Sequence, residues 1–277
     1  MTEGGVVDVD DALAAAGVAR PTSPTVRELL VTHGTDLAVV SEAVDRITQT
    51  GGSRTTPIDS LQVGPPVPDP AKVLCIGLNY QDHVAETGRA LPKHPDVFVK
   101  FASSLIGPQA LVRGRDVTDQ LDFEGELAIV IGREAREVKA ADALDVIAGV
   151  TVLNDITARD LQYRGTQWTI GKAVDGSTPV GPALVTLDEV PDLQALELRT
   201  RVNGVEMQHS NTRYMIFPVA NLIEYVTRTM SLLPGDVIAT GTPQGIGAKR
   251  TPPVWLQSGD VVEVELDQVG TLRSAIA

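Results

Sequence analysis

Asp122-Phe123-Glu124-Gly125-Glu126 places three acids directly before the continuous apolar run Leu127-Ala128-Ile129-Val130-Ile131. The two-residue period of a strand puts Glu124 and Glu126 on one face, about 7 Å apart between backbones. Like charges at the start of a buried strand repel, and a bound divalent cation offsets that cost. A solvated strand edge is the alternative reading. A second apolar run, Gly149 to Leu153, also ends in an acid, Asp155. Three carboxylates at strand ends are hard oxygen donors. They suit one face of an octahedral Mg2+ or Mn2+ ion and leave other positions for water or substrate. Zinc or non-haem iron would ask for more imidazole. The histidines His33, His83, His94 and His209 have no metal-binding spacing with one another.

The segment GLNYQDHVAETG (77–88) supplies His83 and Glu86, three residues apart. One helical turn puts imidazole and carboxylate on the same side. A histidine held by a carboxylate is a general base near neutral pH, because the pair stabilises the imidazolium formed when water gives up its proton. An exposed surface pair is the bland alternative. Residues 82–96 are polar, carry Gly88, Pro92 and Pro95, and lack an apolar stripe. They predict a lid that orders on ligand binding. Arg159 and Gln162 follow Asp155, and Lys172 lies further on in GKAVDG. Together these can hold an anionic, oxygen-rich substrate and neutralise an enolate, although each alone also fits a solvated surface. ATGTPQGIG (239–247) is glycine-rich but continues as Ala248-Lys249-Arg250, without the Gly-Lys-Ser/Thr ending of a phosphate-binding loop. Nucleotide binding is therefore excluded, leaving close backbone approach to a small ligand or a plain turn.

The elements that must position these groups are legible in outline. Ser23-Pro24 predicts the start of a short helix through Val26, Leu29 and Leu30 that stops at Gly34. Leu37, Val40, Val44 and Ile47 follow at helical spacing, with Gly51-Gly52 as the stop. Pro57, Pro65, Pro66, Pro68 and Pro70 then read as a link, so residues 1–70 form a small N-terminal domain with a proline-rich linker and 71–277 the main domain. Beyond the link come short β-rich runs at 72–76, 97–101, 126–131, 149–153, 182–186, 198–202, 237–240 and 261–266. Asn203-Gly204 predicts a tight hairpin, and 219–230 a helix. The fold class is α+β and β-rich.

Composition narrows the function. The 277 residues carry a formal charge of −13, which repels phosphate backbones and argues against nucleic acid. No apolar run reaches the roughly 18 residues that cross a bilayer. The acidic start lacks the positive charge of an export signal. A single cysteine, Cys75, fits a reducing cytoplasm and excludes a thiolate zinc site.

Five motifs in one order, GLNYQDHVAETG, DFEGELAIVIG, NDITARDLQ, GKAVDGSTPVGP and ATGTPQGIG, resemble the fumarylacetoacetate hydrolase family over residues 70–277. The resemblance points to its bacterial branch of acylpyruvases and oxaloacetate decarboxylases. It implies a mixed β-sandwich roll with a small N-terminal α/β domain, one Mg2+ or Mn2+ ion and a homodimer. By the same resemblance, Glu124, Glu126 and Asp155 are the metal ligands, and His83 with Glu86 is the water-activating dyad. Lys172 stabilises the enolate, Arg159 and Gln162 contact substrate, and Thr242 touches its carboxylate. The residues after Lys172 depart from the family pattern, which has Ser or a second Gly and then Phe, so the pocket wall differs. The implied substrate is a small anionic 2-oxo acid. The implied reaction is hydrolysis of a C–C bond in a 1,3-diketo acid, either an acylpyruvate or a diketo-deoxy sugar acid. Oxaloacetate decarboxylation, 2-oxo acid isomerisation or hydration, and a catalytically silent binding protein are the alternatives.

Overall fold

Asp8 caps a helix that neither the linker nor the strand pattern announces: its carboxylate accepts the N–H groups of Asp10 and Asp11 at the start of α1 (Val9–Ala16). The fold is a computed structural model that describes residues 5–18, 25–50 and 55–277. Ala12 and Leu13 of α1 pack on Ala43 and Ile47 of α3 (Ala38–Gln49). Between them, α2 (Val26–His33) begins at Thr25, whose hydroxyl accepts the Glu28 N–H, and ends at Gly34. The N-cap is thus Thr25 of a Thr-x-x-Glu sequence rather than the expected Ser23, because the helix starts at Val26 and the Thr25 hydroxyl stands next to it in reach of the Glu28 N–H. Ser23-Pro24 and Gly51-Gly52 lie outside the described residues. Among the described residues, the β component of this N-terminal part is one isolated bridge, Val6 to Thr56. From Leu61 to Lys72 the chain forms neither helix nor strand.

The main body contains β1 (Val73–Gly77), α4 (Gln81–Thr87), β2 (Asp96–Lys100), β3 (Leu105–Ile106), β4 (Leu111–Val112), β5 (Leu121–Asp122) and β6 (Gly125–Ile131). Next come β7 (Ile147–Asn154), β8 (Thr157–Ala158), α5 (Arg159–Gln162), α6 (Thr169–Lys172) and β9 (Thr178–Thr186). The chain finishes with β10 (Glu197–Val202), β11 (Val205–Asn211), α7 (Val219–Thr227), β12 (Val237–Ala239), β13 (Val261–Leu266) and β14 (Gly270–Ile276). A mixed sheet runs β2-β1-β12-β6-β7-β9-β3, a second runs β11-β10-β13-β14-β4, and β5 pairs with β8. The expected β-rich α+β architecture is what forms.

Strand β6 sits mid-sheet, and every residue in it is buried. Leu127, Ile129 and Ile131 join the core shared with Leu198, Val262, Val264 and Leu272 of the second sheet, whereas Ala128 packs with Cys75, Leu153 and Ala239 on the opposite face. Burial on both faces explains the continuous apolar run. At Gly125 the second sheet approaches the backbone closely: a Cβ there would lie 2.3 Å from Thr200 Oγ1 and 2.8 Å from Val264 Cγ1. The glycine between the two glutamates is thus a packing requirement. The Asn203-Gly204 hairpin forms with both residues at positive φ, 51° and 78°, as the tight β10–β11 turn demands. Helix α7 buries Val219, Leu222, Ile223 and Val226 and stops at Thr227, before the expected Met230. Among the described residues no helix is long and apolar enough to cross a membrane.

Candidate active site

Antiparallel pairing of β6 with β7 aligns Gly125 with Asn154 and so brings the two acidic strand ends together. The Asp155 N–H donates to Glu124 O at 2.8 Å, and the Glu124 N–H donates to Asn154 Oδ1 at 3.0 Å. As a result, ligand atoms of Glu124, Glu126 and Asp155 all lie within 4.8 Å of one another, and all three residues are buried.

Cations from three other elements converge on this cluster. Lys172, the last residue of α6, donates from Nζ to Glu124 Oε2 and Asp155 Oδ2, each at 2.7 Å. Gly171 lets α6 lie against α5, since a Cβ there would come within 2.4 Å of the Gln162 nitrogen. Arg159 opens α5 and donates from Nε to Asp122 Oδ2 at 2.8 Å and from Nη1 to Gln162 Oε1 at 3.1 Å. Its Nη2 lies 2.6 Å from Glu124 Oε1 in an ion pair whose angle falls short of a hydrogen bond. The third cation, Lys100 at the end of β2, donates to Asp155 Oδ1 at 2.7 Å and to Ile156 O at 3.1 Å, and its side chain is fully buried.

This arrangement divides the carboxylates electrostatically. Burial alone would raise Glu124, but Lys172 and then Arg159 hold it down to about 2. Burial would lower Lys172, yet Asp155 and Glu124 hold its ammonium above the ordinary amine range. Among the described residues Glu126 has no ion-pair partner. Its Oε2 accepts the Gly241 N–H at 2.8 Å. Burial, then Asp155 and Glu124, push it well above the carboxylate range. Three clustered oxygen donors, one lacking a cation of its own, fit a hard divalent ion placed beside Glu126.

His83 and Glu86 meet as expected on α4, with His83 Nδ1 2.7 Å from Glu86 Oε1. Glu86 Oε2 accepts the Gly245 N–H at 3.0 Å, which fixes the carboxylate and through it the ring. Within residues 82–96, α4 buries His83 and Val84, and the run from Gly88 to Leu91 is exposed. The glycine-rich loop directs its N–H groups at the protein's own carboxylates: Gly241 to Glu126, Gly245 to Glu86, and Gly247 with Ala248 to Asp122. Its close backbone approach is therefore to the acids that shape the site. Thr242 donates to Gly125 O at 3.0 Å and accepts from Gln208 Nε2 at 2.8 Å.

A cavity of about 220 Å³ is lined by His83, Glu124, Glu126, Arg159, Gln162, Lys172 and Thr242, while Glu86 and Asp155 support it from behind. All nine expected residues thus belong to one constellation. Lys100 and Asp122 were not expected. The signal for Lys100 is period-2 alternation, which puts it on the face of Phe98 at the inner end of a strand. Asp122 stands in the acidic motif, but only the fold shows that it ties Arg159 to the glycine loop.

The profile described as Fumarylacetoacetate (FAA) hydrolase C-terminal matches residues 72–277. The mitochondrial oxaloacetate tautomerase fahd2 of Xenopus laevis is 45% identical over 76% of this chain and 67% of its own length. The oxaloacetate tautomerase YisK of Bacillus subtilis is 43% identical over 81% of this chain and 76% of its own. Among solved structures, a provisionally designated HpcE protein from Mycobacterium smegmatis superposes with a TM-score of 0.85 at 37% identity, covering 100% of this chain and 95% of that one. A 2-hydroxyhepta-2,4-diene-1,7-dioate isomerase from Mycobacterium marinum gives 0.71 at 39% identity over 81% of each chain. A profile spanning the whole main body, relatives named as enzymes at more than 40% identity, and a shared fold agree with the buried acidic site: the chain belongs to the fumarylacetoacetate hydrolase family.

Proposed function

We propose that the protein interconverts enol and keto forms of a short 2-oxo acid, oxaloacetate first among them, at the cavity between α4 and the β6–β7 strand ends. The observation that carries this reading is the facing of a histidine–carboxylate pair and a buried lysine across one small cavity that holds the acidic triad. Mg2+ or Mn2+, held by Glu124, Glu126 and Asp155, would polarise the 2-oxo and carboxylate oxygens as a Lewis acid. The remaining work belongs to the chain. With Nδ1 on Glu86, His83 has Nε2 free to move a proton at C3, and Glu86 stabilises the imidazolium that results. Lys172 places a fixed positive charge where the enolate oxygen develops. Arg159 and Gln162 hold the substrate's oxygens, and Thr242 shapes the wall beside Gly125.

Hydrolysis of an acylpyruvate is the second reading. It is favoured by the Glu86 contact to His83, which is the arrangement water activation needs. Decarboxylation of oxaloacetate would use the lysine side of the same cavity without a water. A silent binding protein is disfavoured by the presence of all three carboxylates together with the dyad. The reading includes a cytoplasmic homodimer, which sedimentation would test. Enol decay of oxaloacetate, pyruvate release from oxaloacetate and loss of acetylpyruvate absorbance are to be followed side by side, each with Mg2+, Mn2+ or excess chelator. Metal-dependent enol decay without pyruvate release supports the tautomerase. Acetylpyruvate cleavage at a higher kcat/KM would replace it with the hydrolase.

A further inference from the structure

Six charged side chains line the cavity, and four of them are cations: Arg89, Arg159, Lys172 and Lys249 against Glu124 and Glu126. Asp155, Asp122 and Glu86 stand directly behind this lining and offset the inner cations, so the uncompensated positive charge lies at the rim. Arg159 and Lys172 are bound to the protein's own carboxylates. Arg89 and Lys249 differ, since among the described residues neither has a carboxylate partner. Both are exposed at the rim, Arg89 just after α4 and Lys249 just after the glycine loop.

Arg89 is nevertheless placed. Its guanidinium carbon lies 5.5 Å from the centre of the Trp168 ring, the geometry of a cation–π contact. Trp168 meets the Phe98 ring edge to face at 5.4 Å. Phe98 in turn lies 5.1 Å from Lys172 Nζ. Trp168 rests on the backbone of Gly77, where a Cβ would come within 2.5 Å of the indole ring. An aromatic wall therefore runs from the buried lysine to the rim arginine. A guanidinium supported on a ring face keeps its in-plane N–H donors available, and these match a carboxylate in a fork.

We propose that Arg89, with Lys249, forms a subsite for the distal carboxylate, so that the cavity selects 2-oxo dicarboxylates over 2-oxo monocarboxylates. The inference rests on the reading of the cavity as a 2-oxo acid site and adds the end of the substrate that the triad, the dyad and Lys172 do not address.

Length-matched pairs that need no turnover test it: 2-oxoglutarate against 2-oxopentanoate, and 2-oxoadipate against 2-oxohexanoate, titrated calorimetrically into the Mg2+-loaded protein. The wild type is expected to favour the dicarboxylate about tenfold or more in at least one pair, as a charge-assisted contact gives. Arg89→Gln should bring that ratio close to one, Lys249→Gln should lower it, and Arg89→Lys should retain only part of it, because an ammonium keeps the charge but cannot form the fork. Both residues are exposed, so these substitutions spare the core. A wild-type ratio near one, or a ratio unmoved by both glutamine variants, would overturn the subsite while leaving enol–keto chemistry intact. A preserved ratio in a protein that does not turn over oxaloacetate would instead sink the tautomerase reading and keep the subsite. Failure of the wild type to bind any of the four acids overturns both.

Discussion

At the residue scale, the site depends on how buried charges are matched. Lys100 and Lys172 hold opposite oxygens of Asp155, so that neither oxygen turns freely. Removing the Lys100 ammonium leaves Asp155 Oδ1 buried without a partner, and breaking one side of a buried pair costs about 3–5 kcal/mol. Lys100→Met is therefore expected to lower the unfolding free energy from urea titration by that order and to weaken Mn2+ binding, read by electron paramagnetic resonance. Unchanged metal affinity would show that Lys100 does not position Asp155. Glu126 makes a second prediction. A carboxyl raised above its unfolded value stabilises the fold below the ordinary carboxylate pKa and loses that contribution as pH rises through the raised value. The metal-free protein should lose stability along that rise. A divalent ion displaces the Glu126 proton, so metal affinity should increase with pH over the same interval. Titrations at several pH values check both slopes, and a pH-independent affinity would contradict the account.

At the scale of elements, the sequence was most legible where local periodicity and burial agree. Continuous apolar runs ending in acids located β6, β7 and the triad, because a strand buried on both faces tolerates a carboxylate only at its end. The i,i+3 spacing located the His83–Glu86 pair because one helical turn suffices to form it. Helix α1 was less legible: Ala12 and Leu13 make a short stripe, and its partner is α3, far along the chain. The two-residue strands β3, β4, β5 and β8 exist only through their tertiary pairings. Alternation marks the face of Lys100 but not its role, because its partner Asp155 lies 55 residues along the chain. Gly125 tests whether the Glu-Gly-Glu pattern is set by packing. Gly125→Ala should destabilise by about 1–3 kcal/mol through overpacking against Thr200, visible as a lower melting temperature. A melting temperature within error of the wild type would assign the glycine to some other cause.

At the scale of the whole molecule, two packed sheets make a floor, and the short helices α4, α5 and α6 with the end of β2 carry His83, Arg159, Lys172 and Lys100. The seven-stranded sheet brings β1, β2, β6 and β7 into order, which is how Glu124 comes to line the cavity with Asp155 and Lys100 behind it. Cys75 lies in the core beneath it with its thiol pushed up by burial, and it takes no part in the chemistry. The central claim is that this cavity forms an enolate at C3 of a 2-oxo acid, whatever the fate of that enolate. Proton exchange at C3 of 2-oxobutanoate in D2O, followed by proton NMR with and without Mg2+, tests it most directly. The account predicts metal-dependent exchange confined to one of the two C3 hydrogens and reduced about 10²–10⁴-fold in His83→Ala. Exchange no faster than that of free Mg2+, or unchanged in His83→Ala, would contradict it.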